Sequence, residues 1–170
     1  MTEIVIIAAV AQNGAIGKGD GMPWSFKKDM KHFKELTMGS PCIMGDVTYR
    51  TLPPRFRPLP GRENIVCTLD PAYRPEGTTV FADFHAAVAH ARASGHARAF
   101  ITGGATIYRL AFKVADALEL TRIHRDYEGD TFFPRYDAAQ WELVSSEQTR
   151  GLDRVSGERV ELSFESFRRR

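Results

Sequence analysis

A chain of 170 residues, 43% apolar and 26% charged, has the size and composition of one globular domain that buries most of its apolar surface unaided. Its 9 prolines and 14 glycines are too few for a fibrous or disordered chain. The formal charge of +2 comes with no basic block long enough for a nucleic-acid arm, and Arg168-Arg169-Arg170 reads as a short solvated tail.

The first expected element is a strand at residues 4–10, continuously apolar and β-branched, hence central and buried on both faces. Residues 13–24 follow with four glycines (Gly14, Gly17, Gly19, Gly21), which predicts a mobile loop at the strand's carboxyl end, where open α/β sheets bind ligands. A helix is expected over 26–37, with Ser25 as N-cap and Gly39 just past its end. Strands follow at 41–44, 64–69 and 79–81. Asp83 then caps a second helix with Phe84, Ala87, Val88 and Ala91 as its buried stripe. A strand at 98–102 leads through Gly103-Gly104 into a third helix facing inward with Ile107, Leu110, Ala111 and Val114. A strand at 117–124 precedes two alternating strands, 141–148 and 159–167, joined by a hairpin loop over 151–157. The alternation predicts a single three-layer α-β-α domain over 1–170. Its central eight-stranded sheet should be mixed and mostly parallel, antiparallel at the C-terminal edge.

Cys42 and Cys67 lie inside apolar strands with no pairing motif, so they are expected as buried free thiols of a reducing compartment. His32, His85, His90, His96 and His124 never take zinc spacing, so no metal is expected. Met1-Thr2-Glu3 lacks a basic signal start, and no stretch approaches the ~20 apolar residues of a membrane span. The expectation is a cytoplasmic monomer, with no membrane, nucleic acid or obligate protein partner.

The first helix carries the informative residue. On a wheel, Phe26, Met30, Phe33 and Thr37 form one face, and Lys27, Lys28, Lys31, Lys34 and Glu35 the other. Asp29 falls on the apolar side and is the one carboxylate expected to be buried. Two readings stand: it satisfies the helix start, or it faces a pocket with a perturbed pKa and anchors a cationic or amide-like ring. Trp24 either plugs the core or serves that pocket, and Met22 reads as a core filler. Thr102-Gly103-Gly104-Ala105-Thr106 joins strand to helix as glycine pairs do where phosphates approach, although a bare pair is weak evidence.

Several segments in this order and spacing resemble the dihydrofolate reductases: Ile7-Ala8-Ala9, Asn13-Gly14-Ala15-Ile16-Gly17, Met22-Pro23-Trp24 with Asp29 and Phe33, and Ile43-Met44-Gly45. Pro58 to Asn64, Gly103 to Tyr108 and Gly129 to Pro134 continue the likeness, which runs from Ile4 to about Phe167. The resemblance implies that fold, and reduction of 7,8-dihydrofolate to tetrahydrofolate by hydride transfer to C6 with protonation at N5. It also implies NADPH as cofactor, and folate-like molecules and antifolates as ligands. By resemblance Asp29 grips the pteridine N3 and 2-amino group, Thr121 backs it, Trp24 holds a water near O4, and Met22 belongs to the loop closing the site. Ile7, Met30, Phe33, Leu52 and Leu59 would line the ring slot, with Arg57 at the substrate and Arg62 on the glutamate α-carboxylate. Ala9, Ile16 and Gly17 would meet the nicotinamide. Tyr108 would close over the nicotinamide side, and Gly45, Asp46, Val47, Thr48, Thr68, Leu69, Thr102, Gly103, Gly104, Ala105, Thr106 and Ile107 would hold the rest of the cofactor.

The chain departs from the family at three places. Pro53-Pro54-Arg55-Phe56 lengthens the link before Arg57. Asp46 and Val47 replace a basic pair, and Leu69 replaces a polar or basic residue near the cofactor's 2′-phosphate. An acid there admits NADH, or it simply caps the short helix. The alternatives are a reductase of another pterin or a pyrimidine on the same fold, and a non-catalytic nucleotide-binding module.

Overall fold

A computed structural model describes all 170 residues. The elements are β1 (Glu3–Ala11), β2 (Ala15–Gly17), α1 (Lys27–Thr37), β3 (Cys42–Gly45), α2 (Asp46–Thr51), β4 (Asn64–Cys67), β5 (Thr78–Phe81) and α3 (Phe84–Arg92). They continue as β6 (Arg98–Gly103), α4 (Ala105–Ala111), β7 (Ala117–Ile123), β8 (Thr131–Phe132), β9 (Trp141–Leu152) and β10 (Arg159–Arg169). Eight strands form one sheet in the order β5-β4-β3-β6-β1-β7-β10-β9, and β2 pairs with β8 apart from it. The run β5-β4-β3-β6-β1 is parallel throughout, whereas β10 is antiparallel to both β7 and β9. The sheet is therefore mixed and mostly parallel, as expected.

The chain divides into two compact units. In the first, Met1–Ile6 with Thr37–Asp116, Ile4, Val5, Ile6, Ile43, Met44, Ile65 and Ile101 are fully buried. Continuous apolar runs suit parallel strands because both faces are covered, and each such side chain gains about 1.5–3 kcal/mol by leaving water. Helix α3 buries the expected stripe of Phe84, Ala87, Val88 and Ala91, and Asp83 caps it by accepting the His85 amide. Helix α4 ends at Ala111, so Val114 lies beyond it, and both Leu110 and Val114 stay half-buried.

The second unit is Ile7–Leu36 with Ala117–Arg170. Its core gathers Ala11, Ala15, Trp24, Phe26, Ile123, Tyr127, Val160 and Leu162. Strand β9 runs on to Leu152, so the hairpin turn starts two residues later than the glycine at 151 suggested. Gly151 serves packing instead: a Cβ there would lie 3.0 Å from Phe26 and 3.1 Å from Leu162. Strands β2 and β8, three and two residues long, are too short to show a period and were not expected.

Candidate active site

Helix α1 starts one residue later than expected. The Phe26 carbonyl accepts the Met30 amide at 3.1 Å, which puts Phe26 in the capping position. Ser25 caps nothing; its hydroxyl accepts two bonds from the Arg154 guanidinium. Beyond the helix, Gly39 takes φ +82°, a left-handed turn that suits glycine. The lysines at 27, 28, 31 and 34 are exposed, while Asp29 and Phe33 are half-buried on the other side.

Asp29 meets β7, whose Thr121 is 3% exposed and donates from Oγ1 to Asp29 Oδ1 at 2.7 Å. Part of the residue's surface reaches solvent, but its carboxyl end lies deep. Burial pushes its pKa above 3.8, against the opposing pull of the Thr121 hydroxyl and of His32. Trp24, 3% exposed, packs edge-on against Tyr127 with centroids 5.1 Å apart, and its buried Nε1 has no partner in the protein. A donor buried without an acceptor is costly, so this N–H is suited to a water or ligand oxygen.

The first unit holds a separate cluster at the carboxyl ends of β3 and β6. Gly45 is the N-cap of α2 and Gly104 that of α4, and neither cap has a side-chain hydrogen bond. A Cβ on Gly45 would stand 3.3 Å from Ile107, and one on Gly104 3.3 Å from the Thr48 hydroxyl. Gly103 has φ +119°, with the Tyr108 ring 3.3 Å from where its Cβ would be. Side chains are thus excluded where two strand-to-helix turns approach. The cradle fits the pyrophosphate of a dinucleotide, whose oxygens need bare backbone at close range.

Comparison with known proteins identifies the family. The family model described as dihydrofolate reductase matches residues 3–169. The chain belongs to the dihydrofolate reductase family. Dihydrofolate reductase of Neisseria gonorrhoeae is 41% identical over 164 residues, covering 96% of each chain. That of Bacillus subtilis is 40% identical over 145 residues, 85% of this chain and 83% of its own. A solved dihydrofolate reductase from Enterococcus faecalis, complexed with NADP(H) and RAB-propyl, superposes with a TM-score of 0.86 at 32% identity, covering 98% and 96% of the two chains. As a dihydrofolate reductase, the protein is an enzyme that reduces dihydrofolate to tetrahydrofolate with NADPH.

The remaining residues expected in this reductase's site fall as follows. In the second unit Ile7 is buried on β1 and Ala9 half-buried, and Ile16 and Gly17 lie on β2. Gly17's carbonyl accepts the Asp130 amide at 3.0 Å. Met22 is 54% exposed on the loop, not a core filler; it stands between exposed Gly21 and half-buried Pro23, outside the packed core. Met30 is 46% exposed at the rim, one helical step round from Asp29, and its Sδ accepts from Arg154 at 3.4 Å. Asp29 is also not the sole carboxylate withdrawn from solvent: Asp153, in the segment expected as a hairpin loop, has no exposed surface.

In the first unit Leu59 is buried, its N–H and C=O both clamped by the buried Asn64 amide. Leu52 caps the end of α2. Exposed Arg57 turns back to the Arg50 carbonyl at 3.0 Å. Arg62 donates from Nε to the Pro60 carbonyl at 2.9 Å and from Nη1 to the Thr37 hydroxyl at 3.0 Å. Asp46 is the first residue inside α2 and not its cap. Its Oδ2 accepts from Thr68 at 2.6 Å, its Oδ1 from the Val47 amide at 2.8 Å, and Arg50 Nη1 stands 3.8 Å away. Val47 and Leu69 are 66% and 88% exposed, and Thr102 donates to the Ile43 carbonyl at 3.4 Å. Ala105 and Thr106 form the first turn of α4, where Tyr108 is buried. Asn64 and Asp153 were missed; the only trace of Asp153 was its Asp-x-x-Ser-Gly turn composition.

Proposed function

We propose that Asp29 holds the pterin of dihydrofolate, its carboxylate accepting from ring N3–H and the 2-amino group. The observation that carries this is the Thr121 bond. It fixes the orientation of the carboxylate through Oδ1 and leaves most of its lone pairs for a ligand. Met22, Ile7, Met30 and Phe33 flank the ring on this side. Leu52 and Leu59 act on the benzoyl portion, Arg57 borders the tail, and Arg62, with Nε and Nη1 already pinned, offers Nη2 to the glutamate carboxylate. Bound NADPH supplies the hydride that C6 accepts. Backbone groups of Ala9, Ile16 and Gly17 orient the nicotinamide, over which Tyr108 closes, and the glycine cradle with Thr48 and residues 105–107 takes the phosphates. N5 must gain a proton; His32, one turn along α1 from Asp29, is stacked on the Phe164 ring with centroids 4.0 Å apart and is given no part in this transfer. Asp29 raises N5 basicity by polarising the ring, and a water held by Trp24 Nε1 passes the proton. Buried free Cys42 and Cys67, with thiol pKa values pushed up by burial to about 12 and about 11, support placing the enzyme in the reducing cytoplasm.

Cofactor choice carries a second reading. An acid at 46 disfavours a 2′-phosphate and suits a free ribose hydroxyl, yet Thr68, Val47 and Arg50 already engage its oxygens and offset its charge. NADPH therefore stays the preferred donor, with NADH used measurably. The test is kcat/KM for both donors with dihydrofolate, followed by absorbance at the nicotinamide band, in wild type and Asp46→Arg. Wild type should turn over with both donors, and the substitution should raise NADPH use by ~10-fold and leave NADH flat or lower. No turnover in wild type refutes the assigned activity; an unchanged donor ratio in the variant removes Asp46 from the 2′ position.

A further inference from the structure

Asp153 sits in the turn between β9 and β10 with no exposed surface. A carboxylate is stable there only when its lone pairs are filled. Oδ1 accepts the Ser25 amide at 3.1 Å and the Val155 amide at 3.0 Å. Oδ2 accepts the Tyr127 hydroxyl at 2.8 Å and the Ser156 hydroxyl at 2.9 Å, with Arg125 Nη1 at 3.8 Å. Burial alone raises its pKa, but these bonds outweigh burial and hold it below 3.8. Burial and Asp153 push the Tyr127 phenol up to about 12, so it remains the donor.

Two of the four bonds stay inside the turn, as any aspartate turn makes them. The other two leave it for the segment that carries the chemistry. Ser25 follows Trp24 directly, and the turn is joined there again by the Arg154 amide on the Ser25 carbonyl at 2.9 Å and a bridge between Asp153 and Phe26. Phe26 opens α1 three residues before Asp29. Tyr127 is the aromatic neighbour of Trp24, whose indole N–H has no protein partner, so ring packing holds the indole in place.

We propose that Asp153 is a positioning residue for hydride transfer, fixing Trp24 through Tyr127 and the start of α1, hence Asp29, through Ser25. This rests on the reading that Trp24 and Asp29 serve the pterin. Asp153 itself touches neither substrate nor cofactor; its role is to keep two groups from different parts of one segment within the few tenths of an ångström that catalysis tolerates.

The test compares Asp153→Asn, Tyr127→Phe and Ser156→Ala by single-turnover hydride transfer, KM for each substrate and thermal unfolding. Acrylamide quenching of Trp24 is added in a Trp141→Phe background, which leaves one tryptophan. Asp153→Asn should slow transfer by about 10-fold and Tyr127→Phe by about 5-fold, with KM for NADPH within about twofold and quenching of Trp24 about doubled. Ser156→Ala removes a bond from the same carboxylate without touching the Trp24 segment, and should leave the rate unchanged. Wild-type rates in Asp153→Asn and Tyr127→Phe, with only the melting temperature lowered, overturn the proposal. Equal slowing in Ser156→Ala does so too, since that would be a general turn effect. Should Asp153→Asn not fold, Tyr127→Phe, which loses one hydroxyl, decides alone. Failure of wild type to reduce dihydrofolate would instead strike the underlying reading.

Discussion

Because burial raises the Asp29 pKa above 3.8, the folded chain binds a proton there more tightly than the unfolded chain does. Its contribution to stability is therefore most favourable below 3.8, falls as pH rises through the folded pKa, and is a cost once the group is ionised at neutral pH. Asp29→Asn keeps a polar isostere and removes that cost. The ligand-free variant should melt above wild type at pH 7, and the gap should close as pH falls toward about 4; a variant melting at or below wild type at pH 7 contradicts the assignment. The role proposed for Arg62 is tested by ligand shape. Arg62→Ala should weaken folate-type ligands by roughly 10–100-fold, the worth of a charged hydrogen-bonded pair, and hardly alter a small antifolate with no glutamate. Comparable losses for both ligands in equilibrium titrations would make its bonds to Pro60 and Thr37 its whole role.

At the scale of elements, the glycine turns between strand and helix do work that no side chain performs. Gly103→Ala forces a side chain onto φ +119° and brings its Cβ to 3.3 Å from the buried Tyr108 ring. The strain should displace the start of α4 and raise KM for NADPH by about 10-fold, with dihydrofolate affinity within about twofold. Steady-state kinetics with each substrate varied in turn checks this, and an unchanged NADPH KM argues against a cofactor role for the turn. Elements with a strong period were legible in the sequence: β1 as an unbroken apolar run, and α3 with its cap and stripe. Those formed by packing were not. Gly151 reads as a turn yet lies in β9 opposite Val160, glycine there because Phe26 and Leu162 leave no room for a side chain, and β2 and β8 pair with each other. Ser25 has a capping residue's chemistry, but Asp153 and Arg154 claim its amide and hydroxyl.

For the whole molecule, what the sequence withheld was long-range partnership. Helical periodicity placed Asp29 on an inward face, but periodicity says nothing of what meets it, and without the family likeness Thr121 is an ordinary strand residue 92 positions on. Ser25 and Asp153 are 128 positions apart, and nothing local marks the acid as buried. In the proposed function one carboxylate, Asp29, backed by a threonine hydroxyl, lets this fold reduce dihydrofolate. Single-turnover hydride transfer from NADPH to saturating dihydrofolate near pH 7, in wild type and in folded Asp29→Asn, tests it most directly. The rate should be at least ~10²-fold lower in the variant, the usual scale for losing a group that governs protonation of the reacting ring. A variant that transfers hydride near the wild-type rate would contradict it.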